Sequence, residues 1–544
     1  MAKITKDQNI ADNYNKARFH FKRAEPVIAF VDKDNYLTLN GPNLLKIEEE
    51  DYTNIRIQQP QGFQVMEELI FAESDSIDKE VIKQKARFIE ARLKLIAQNT
   101  DLSKYKNYHF LWLVRDAIIR VSTTSLTGFD SPNLASLDEA QIVYNSIANY
   151  LSYFQNEFKD VALHNQWQKE IDKTLTDLKG DFESFDRYSF IKEHTNKQLD
   201  LWVRTVEDWS IIFPFDMAIN NEAQSLFDRN TFNVEYFAGR HSVNINEQTV
   251  ALGEQLFYDK NLSKDKSMSC GSCHQPEKAF TDGQKTSIGN NGNPLKRNSP
   301  TLTYAAFQKG FFYDKRAGNL EGQISGVVSN ENEFHTNLEI LEEEVRANDK
   351  YRMQFAKHFK DTITESNIRN AIATYIRSLA SFSSKFDKNI RGEEESLSEQ
   401  EVLGFNLFMG KAACGTCHFA PLFNGTVPPN FKESELEALG VPATAKNQRL
   451  DDDLGRFELF KTSERKHLFK TPTIRNITKT APYMHNGVYD SLEQVMHFYN
   501  VGGGLGLGFN IDNQTLPPDS LNLQESEIEA IIAFLHTLTD EEPY

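Results

Sequence analysis

Apolar residues recur every three or four positions along most of the first 240 residues, as they do on the buried face of an amphipathic helix. The pattern is clearest over residues 78–98, 137–159 and 166–179, which are rich in helix-forming residues and contain no Gly or Pro. All four tryptophans fall in this half, where the simplest interpretation is that they are core aromatics of a helical bundle. We therefore predict an all-helical N-terminal domain over residues 1–240.

A second pattern begins after residue 240 and occurs twice. Gly253-x-x-Leu256-Phe257 is matched by Gly404-x-x-Leu407-Phe408, and each run precedes a pair of cysteines. The second copy opens with Ser398-x-x-Glu401, a capping box that marks the start of a helix. The repeat predicts two further helical domains, at residues 241–393 and 394–544, so that the chain as a whole is mainly α.

The two cysteine pairs have the same form. Cys270-Gly271-Ser272-Cys273-His274 and Cys414-Gly415-Thr416-Cys417-His418 both read Cys-x-x-Cys-His, and they account for all four cysteines of the chain. In this motif the two thiols attach a heme covalently and the adjacent histidine ligates the iron. We therefore predict two covalently bound c-type hemes.

Two other uses of paired cysteines are open at this point. Four cysteines could form a structural zinc site, but the pairs lie much further apart than in a zinc ribbon, and zinc does not require a histidine after each pair. A thioredoxin-like redox pair would need a single motif beside a βαβ unit.

Composition and charge limit the classes of molecule with which the chain is expected to interact. Hydrophobic residues make up 39% and charged residues 25% of the chain, as in ordinary globular proteins, and no apolar run approaches the length of a membrane span. The net charge of −18 argues against nucleic acid as a partner and suits a positively charged protein surface. The first residues carry no apolar signal-peptide core. Because covalent c-type heme is assembled outside the cytoplasm, we expect a periplasmic protein whose export signal has been removed.

Short motifs around the two heme signatures follow a recognisable order. They are Thr286-Ser287-Ile288-Gly289-Asn290, Arg297-Asn298-Ser299-Pro300-Thr301, Phe312-Tyr313-Asp314-Lys315-Arg316-Ala317, Asn330-Glu331-Asn332-Glu333, Phe469-Lys470-Thr471-Pro472-Thr473-Ile474-Arg475-Asn476 and Ala481-Pro482-Tyr483-Met484-His485-Asn486-Gly487. This order resembles the bacterial di-heme cytochrome c peroxidases and their MauG-like relatives. The resemblance covers residues 245–540 and implies two cytochrome-c-like heme domains.

The resemblance implies that the first heme is the reactive one. His274 and His418 would be the proximal iron ligands. Asn290 stands where some of these peroxidases have a distal histidine, and because asparagine is a poor iron ligand, the first heme would be open to peroxide. Glu333 matches the distal-pocket glutamate, which can move a proton between the two peroxide oxygens. Gln323 matches a residue near the first heme pocket.

The second heme would be closed by a second ligand. Aligning on the family places Tyr499 at that position, and Leu492, Val495, Met496 and Tyr499 share one helical face, so the tyrosine is expected to point inward. A tyrosinate would lower the reduction potential, as in MauG-like proteins. Met484 and Met496 are the alternatives, and either would give a high-potential electron relay.

Further family positions lie between the two hemes. Tyr313 stands at the position of an aromatic residue, often tryptophan in the family, through which charge passes between the hemes. A calcium ion typically sits there, and its ligands map to the side chain of Asn298 and to the carbonyls of Thr480 and Pro482, oxygen donors of the kind calcium prefers.

The leading hypothesis is a periplasmic oxidoreductase that reduces hydrogen peroxide with electrons from a small cytochrome c or cupredoxin. A MauG-like oxidation of a protein substrate is an alternative, as is a heme electron carrier or sensor without enzymatic activity. In the N-terminal half, Gly62-Phe63-Gln64-Val65-Met66-Glu67 faintly resembles the Gly-x-His-x-x-Glu motif of imelysin-like domains, with Gln64 in place of the histidine.

Overall fold

The predicted mainly helical fold is confirmed by the computed structural model of the chain, which describes residues 8–49, 55–71, 78–238, 245–359, 362–542 and 544. The helices of the N-terminal half are α1 (Gln8–Val31), α2 (Lys33–Asn40), α3 (Phe63–Phe71), α4 (Lys79–Asn99), α5 (Asn107–Thr123), α6 (Ser136–Tyr153), α7 (Val161–Asp177), α8 (Arg187–Phe190), α9 (Asn196–Asp208) and α10 (Val234–Phe237). A π-helical turn, Ile191–Thr195, joins α8 to α9.

The remaining helices surround the two cysteine motifs. They are α11 (Glu247–Tyr258), α12 (Cys270–Cys273), α13 (Leu320–Ser329), α14 (Leu338–Ala347), α15 (Asp349–His358), α16 (Glu365–Arg377), α17 (Lys385–Ile390), α18 (Glu399–Met409), α19 (Phe457–Phe460), α20 (Leu492–Asn500), α21 (Gly503–Gly506) and α22 (Glu525–Thr537). Two antiparallel pairs complete the described fold: β1 (Lys46–Glu49) with β2 (Ile55–Gln58), and β3 (Leu436–Ala438) with β4 (Leu468–Lys470). Among the described residues of the N-terminal half, β1 and β2 are therefore the only strands.

The helices predicted from periodicity are present, with shifted ends. α4 begins one residue after Asp78, whose carboxylate accepts hydrogen bonds from the first-turn amides of Glu80 and Val81. α6 ends at Tyr153, before the predicted residue 159, and α7 begins at Val161, before the predicted residue 166. Helix ends depend on local capping, which periodicity does not report.

Each cysteine motif is flanked in the chain by two helices that pack against each other, and we call each such pair a helical frame. The frame of the first motif is α11 with α16, and the frame of the second is α18 with α22. In each crossing the glycine of Gly-x-x-Leu-Phe faces the partner helix's backbone, because a Cβ on Gly253 would overlap the carbonyl of Ala371 and one on Gly404 the carbonyl of Ala530. The repeated glycine is therefore required by close helix contact.

The N-terminal half packs mainly on the second of these frames. One hydrophobic core joins α5–α9 to residues of α18 and α22, whereas residues around α11 and α16 form a core of their own. The contact is also polar: Asn406 on α18 accepts from the amide of Tyr188 at 2.9 Å and donates to Asp186 at 3.0 Å. A third core lies among α1–α4.

The domain limits stay predictions. The limit between residues 240 and 241 falls within 239–244, outside the described residues. The limit between 393 and 394 follows α17, where the Arg391 guanidinium donates to the carbonyls of Phe227 and Phe382 at 2.7 and 2.9 Å. The segment between the two heme frames is thus tied to the N-terminal half.

Candidate heme sites

The first motif presents its histidine in the form that a heme iron needs. Nδ1 of His274 donates to the carbonyl of Phe280 at 2.8 Å, which leaves the lone pair on Nε2. Burial lowers the pKa of His274, so the ring is neutral at pH 7. Ser299 braces the motif by donating to the carbonyl of Cys273 at 3.0 Å.

The second motif repeats this arrangement. Nδ1 of His418 lies 3.3 Å from the carbonyl of Phe423, and burial lowers the pKa of the imidazole to about 4. Both histidines are thus neutral and oriented by backbone carbonyls, as a proximal iron ligand must be.

The state of the thiols separates heme attachment from the two alternatives. All four cysteines are free. Burial raises the pKa of Cys270 to about 12 and that of Cys273 to about 11, unlike the low-pKa thiol of a redox pair. Among the described residues, which include every cysteine, no group of His, Cys, Asp and Glu could hold a metal ion, so the four-cysteine zinc site is wrong.

A cavity of about 700 Å³ adjoins the second motif. Its wall includes Cys414, Cys417 and His418, with apolar side chains of α18, α20 and α22. The volume lies within the range of cofactor sites, and the lining is predominantly apolar, as a porphyrin requires. The residues present therefore fit a covalently held heme.

All three candidate sixth ligands line this cavity. Tyr499 and Met496 lie on α20, and Met484 lies on the loop before it, in a left-handed backbone conformation with φ of 73°. Among the described residues, none forms a hydrogen bond with the Tyr499 hydroxyl. Burial raises the pKa of Tyr499, as do the Cys417 and Cys414 thiols.

Glu333 lies at the first motif. Its charge contributes to the raised pKa of both Cys270 and Cys273. Nδ2 of Asn330 donates to Oε1 of Glu333 at 2.6 Å, and no other described residue hydrogen-bonds to the carboxyl group. Burial raises the pKa of Glu333, so this half-buried carboxyl exchanges protons closer to neutral pH than an exposed one.

Asn290 is bonded to the loop that carries Glu333. Its Nδ2 donates to the carbonyl of Glu331 at 3.1 Å and to that of Glu333 at 2.6 Å, while its own amide donates to the carbonyl of Asn332 at 3.0 Å. Asn290 therefore supports the backbone of the loop that carries Glu333.

Tyr313 lies where the two heme halves meet. Its carbonyl accepts from the amide of Lys470 at 2.6 Å, and its hydroxyl lies 3.4 Å from Oδ1 of Asn298. Tyr313 and Gln323, from α13, both line the cavity of the second motif. The structure thus brings Tyr313 and Gln323 together on that wall, while Glu333 lies beside the first pair of cysteines.

The three residues predicted to bind calcium share the cavity wall with Tyr313. Asn298 also links the halves, because its amide donates to the carbonyl of His485 at 2.8 Å and its Nδ2 to that of Gln284 at 2.9 Å. Thr480 and Pro482 stand on the same wall. Calcium ligation by these oxygens stays a prediction.

Three polar residues of the second cavity escaped prediction. Glu435 precedes β3, Glu437 lies within it, and Lys470 ends β4; all three line the cavity. Burial raises the pKa of Glu435 to about 7 and lowers that of Lys470 to about 7, so each is close to losing its charge at neutral pH. The alternation Glu435-Leu436-Glu437 was the available signal, and it resembles any exposed strand.

Comparison with known proteins identifies the family. The profile described as di-haem cytochrome c peroxidase matches residues 247–395. The cytochrome-c peroxidase IdrP2 of Denitromonas iodatirespirans is 33% identical over 315 residues, which cover 54% of this chain and 83% of that protein. This chain belongs to the di-haem cytochrome c peroxidase family. The methylamine utilization protein MauG of Methylorubrum extorquens is 30% identical over 298 residues, covering 54% of this chain and 79% of MauG.

A solved structure gives a similar extent of match. A MauG-like protein associated with microbial copper homeostasis is 29% identical, with a TM-score of 0.48, covering 55% of this chain and 91% of that one. Membership of the di-haem peroxidase family makes the chain a peroxidase-type oxidoreductase with two c-type hemes. No helix in the described ranges has the length and hydropathy to cross a membrane.

Proposed function

We propose that this di-haem peroxidase reduces hydrogen peroxide at the heme of His274 with electrons that a donor protein delivers at the heme of His418. The observation that carries the proposal is the position of Glu333, which lies beside the first cysteine pair with one carboxylate oxygen uncommitted among the described residues. Glu333 therefore places a side chain that can exchange protons at the motif of His274.

The roles of the first site divide between cofactor and protein. When bound, the heme of His274 supplies the redox chemistry that breaks the peroxide O–O bond, and the heme of His418 relays electrons to it. Glu333 accepts a proton from the nearer peroxide oxygen and returns it to the departing one. Asn330 fixes Oε1, which leaves Oε2 for the transfer. Asn290 would offer a bound heme no strong iron ligand, and its side chain holds the loop that carries Glu333.

The second site is proposed to be closed by Tyr499. The hydroxyl has no hydrogen-bond partner among the described residues, and its ring shares the cavity wall with His418. Burial disfavours the free phenolate, so ligation requires the positive charge of a ferric ion to compensate for the lost proton. Met484 and Met496 stay the alternative ligands.

The connection between the sites is proposed to run through Tyr313. Its main chain and side chain both bond at the junction of the halves, to Lys470 and Asn298. A calcium ion held by Asn298, Thr480 and Pro482 would stiffen that junction, and Gln323 would line the passage between the sites. The chain's net charge of −18 suits a basic small cytochrome c or cupredoxin as donor in the periplasm.

Peroxide-dependent oxidation of a reduced donor tests the proposal. Holoprotein is mixed with a reduced small basic cytochrome c, and donor oxidation is followed with and without hydrogen peroxide. The proposal predicts turnover that requires peroxide and weakens as salt is raised, because charge screening slows encounter. If no reduced cytochrome or cupredoxin supports turnover while dithionite still reduces the hemes, the proposal fails and electron transfer without peroxidase activity is the function that remains.

MauG-like oxidation of a protein substrate is a second candidate, and Tyr499 on the cavity wall favours it. A tyrosinate stabilises oxidised states of the second heme and would let both sites share oxidising equivalents. This chemistry would be supported if the oxidised state formed with peroxide decays slowly in the absence of donor, and if Tyr499→Phe loses this slow decay. Decay at the same rate in both proteins would remove it.

A further inference from the structure

A second, larger cavity separates the N-terminal helices from the second heme half. It has a volume of about 1240 Å³, and its wall is formed by α2, the β1–β2 hairpin, α4 and α5 on one side and by residues around β3 and β4 on the other. We call it the Arg120 cleft. Neither the heme chemistry nor the family resemblance uses it.

Arg120 is a buried cation of this wall that lacks a counter-ion. The residue lies on α5, is 5% exposed, and its guanidinium carbon lies 5.1 Å from the centre of the Tyr36 ring. Its Nε has no hydrogen-bond partner, and no described residue forms an ion pair with the guanidinium or accepts from its terminal nitrogens. Asp116, one turn earlier on α5, affects it only at longer range.

Lys33 is a second cation of the cleft without a partner. It is the first residue of α2 and is half-buried on the cleft wall. No hydrogen bond or ion pair joins its ammonium group to any described residue. Burial lowers the pKa of Lys33, as expected for a cation that the protein does not neutralise.

Three other buried arginines are neutralised by acids of the chain. Arg475 pairs with Asp387 at 2.8 Å, Arg18 with Glu139 at 2.5 Å, and Arg297 with Asp453 at 2.7 Å. Arg115 and Arg187 are buried without an acid partner, but each donates hydrogen bonds to backbone carbonyls, which Arg120 does not do among the described residues. A buried guanidinium without an anion is costly, because it loses water without gaining an equivalent partner. Among the described residues, Arg120 is thus a buried guanidinium with neither an acid partner nor a hydrogen bond, and an anion in the cleft would supply both.

The two cations stand apart from the heme cavity. Arg120 and Lys33 line the cleft and are not among the described residues that line the heme cavity. The two spaces share a wall that includes Glu435 and Glu437. The remaining acids of the cleft include Asp130, which pairs with Lys22 at 2.5 Å, and Glu433, which acts on Lys33 from beyond ion-pair distance.

We propose that the Arg120 cleft binds a small organic carboxylate, with the carboxylate group on Arg120 and Lys33 and its apolar body against the aromatic part of the wall. That part includes Tyr36, Phe88 and Phe129. The guanidinium offers paired donors that match a carboxylate. The volume of the cleft and its aromatic wall leave room for the apolar body of such a ligand. This proposal does not depend on peroxide turnover.

Equilibrium dialysis of the holoprotein with 2-naphthoate and its neutral isostere 2-naphthamide tests the proposal. The acid should bind at least about tenfold more tightly than the amide, the effect of a charge-assisted hydrogen bond. Arg120→Met should abolish this preference, and Lys33→Gln should weaken it. Arg449→Met is the matched control, because Arg449 is an exposed arginine paired with Asp452 and does not line the cleft.

Thermal unfolding without ligand separates binding from a structural role. Arg120→Met should be as stable as the parent or more stable, since it removes an unpaired buried charge. Equal binding of acid and amide, no binding of 2-naphthoate to holoprotein, or a preference that survives Arg120→Met would overturn the proposal. If Arg120→Met fails to fold, that result itself contradicts the stability expectation, and Lys33→Gln still reports on the site.

Discussion

The two heme sites share a frame and differ in what surrounds it. Each has a glycine at a close helix crossing, a cysteine pair, and a neutral histidine whose Nδ1 points at a backbone carbonyl. Around the first, a loop presents Glu333 and is tied by Asn290. Around the second, an apolar cavity presents Tyr499 and two methionines. The shared frame holds the cofactors, and the unshared surroundings make one site able to move protons and the other able to supply a further ligand.

The largest expected difference between the sites comes from Glu333→Gln. The variant keeps the shape of the side chain but removes the proton acceptor, so peroxide-dependent kcat/KM should fall by about 10²–10⁴-fold. Stopped-flow mixing with peroxide measures the loss. Glu331→Gln, at an exposed neighbour on the same loop, is the control and should keep its rate.

The pH profile gives the same comparison a second readout. Burial raises the pKa of Glu333, so the ionised, proton-accepting form is lost as pH falls through a value above the ordinary glutamate value of about 4.3. The peroxide rate should therefore rise with pH along this acid limb. Glu333→Gln should flatten the limb; a limb that persists in the variant would assign the titration to another group.

The repeated crossing can be broken one copy at a time. Gly253→Ala and Gly404→Ala each force a methyl group into a partner backbone and should cost about 1–3 kcal/mol. Denaturant unfolding measures the loss, and the heme spectrum shows which site is disturbed first. Gly318→Ala is the control, because nothing lies within 4 Å of its added Cβ. Identical heme changes in both variants would argue against two separate frames.

Asn290→Ala should have a smaller effect on the first site alone. The Glu333 loop loses two hydrogen bonds from the Asn290 side chain, so the peroxide reaction should slow by about tenfold while the acid limb of the pH profile remains. Asn291→Ala also removes two hydrogen bonds, to the Asn332 side chain and from the Asn293 amide, but neither involves the backbone of Glu331 or Glu333, so this variant serves as control. Equal slowing in both variants would reduce Asn290 to a general loop residue.

Removal of calcium should have the smallest effect and touch both sites. Asn298 bonds to residues of both halves, so dialysis against EGTA should change the absorbance of both hemes, and added calcium should reverse the change. If the heme spectra do not change on dialysis against EGTA, the prediction that Asn298, Thr480 and Pro482 bind calcium is wrong.

Local patterns predicted much of the fold, and tertiary packing accounts for the rest. Periodicity marked α4, α6 and α7, and the cysteine motifs marked both heme frames. The same periodicity could not reveal that α5–α9 pack on the second heme half, because an apolar helix face does not specify its partner.

The functional residues were likewise predictable from the sequence only in part. Glu333 and Asn290 were visible as motif positions, but the hydrogen bonds from Asn290 to the Glu333 loop were not, since these join residues over 40 positions apart. Arg120 carried no signal in the sequence, where it is one arginine in a helical pattern. The packing of α5 against Tyr36 and the heme half leaves it buried, with no hydrogen-bond or ion-pair partner in the part of the chain that the structure describes.

The inequality of the two hemes is tested most directly by EPR of the diferric holoprotein and of Tyr499→Phe. The account predicts one high-spin ferric heme, which reacts with peroxide, and one low-spin heme whose signal alone changes in Tyr499→Phe. Two low-spin hemes that do not react with peroxide would contradict the open first site. An unchanged low-spin signal in Tyr499→Phe would transfer the ligand to Met484 or Met496.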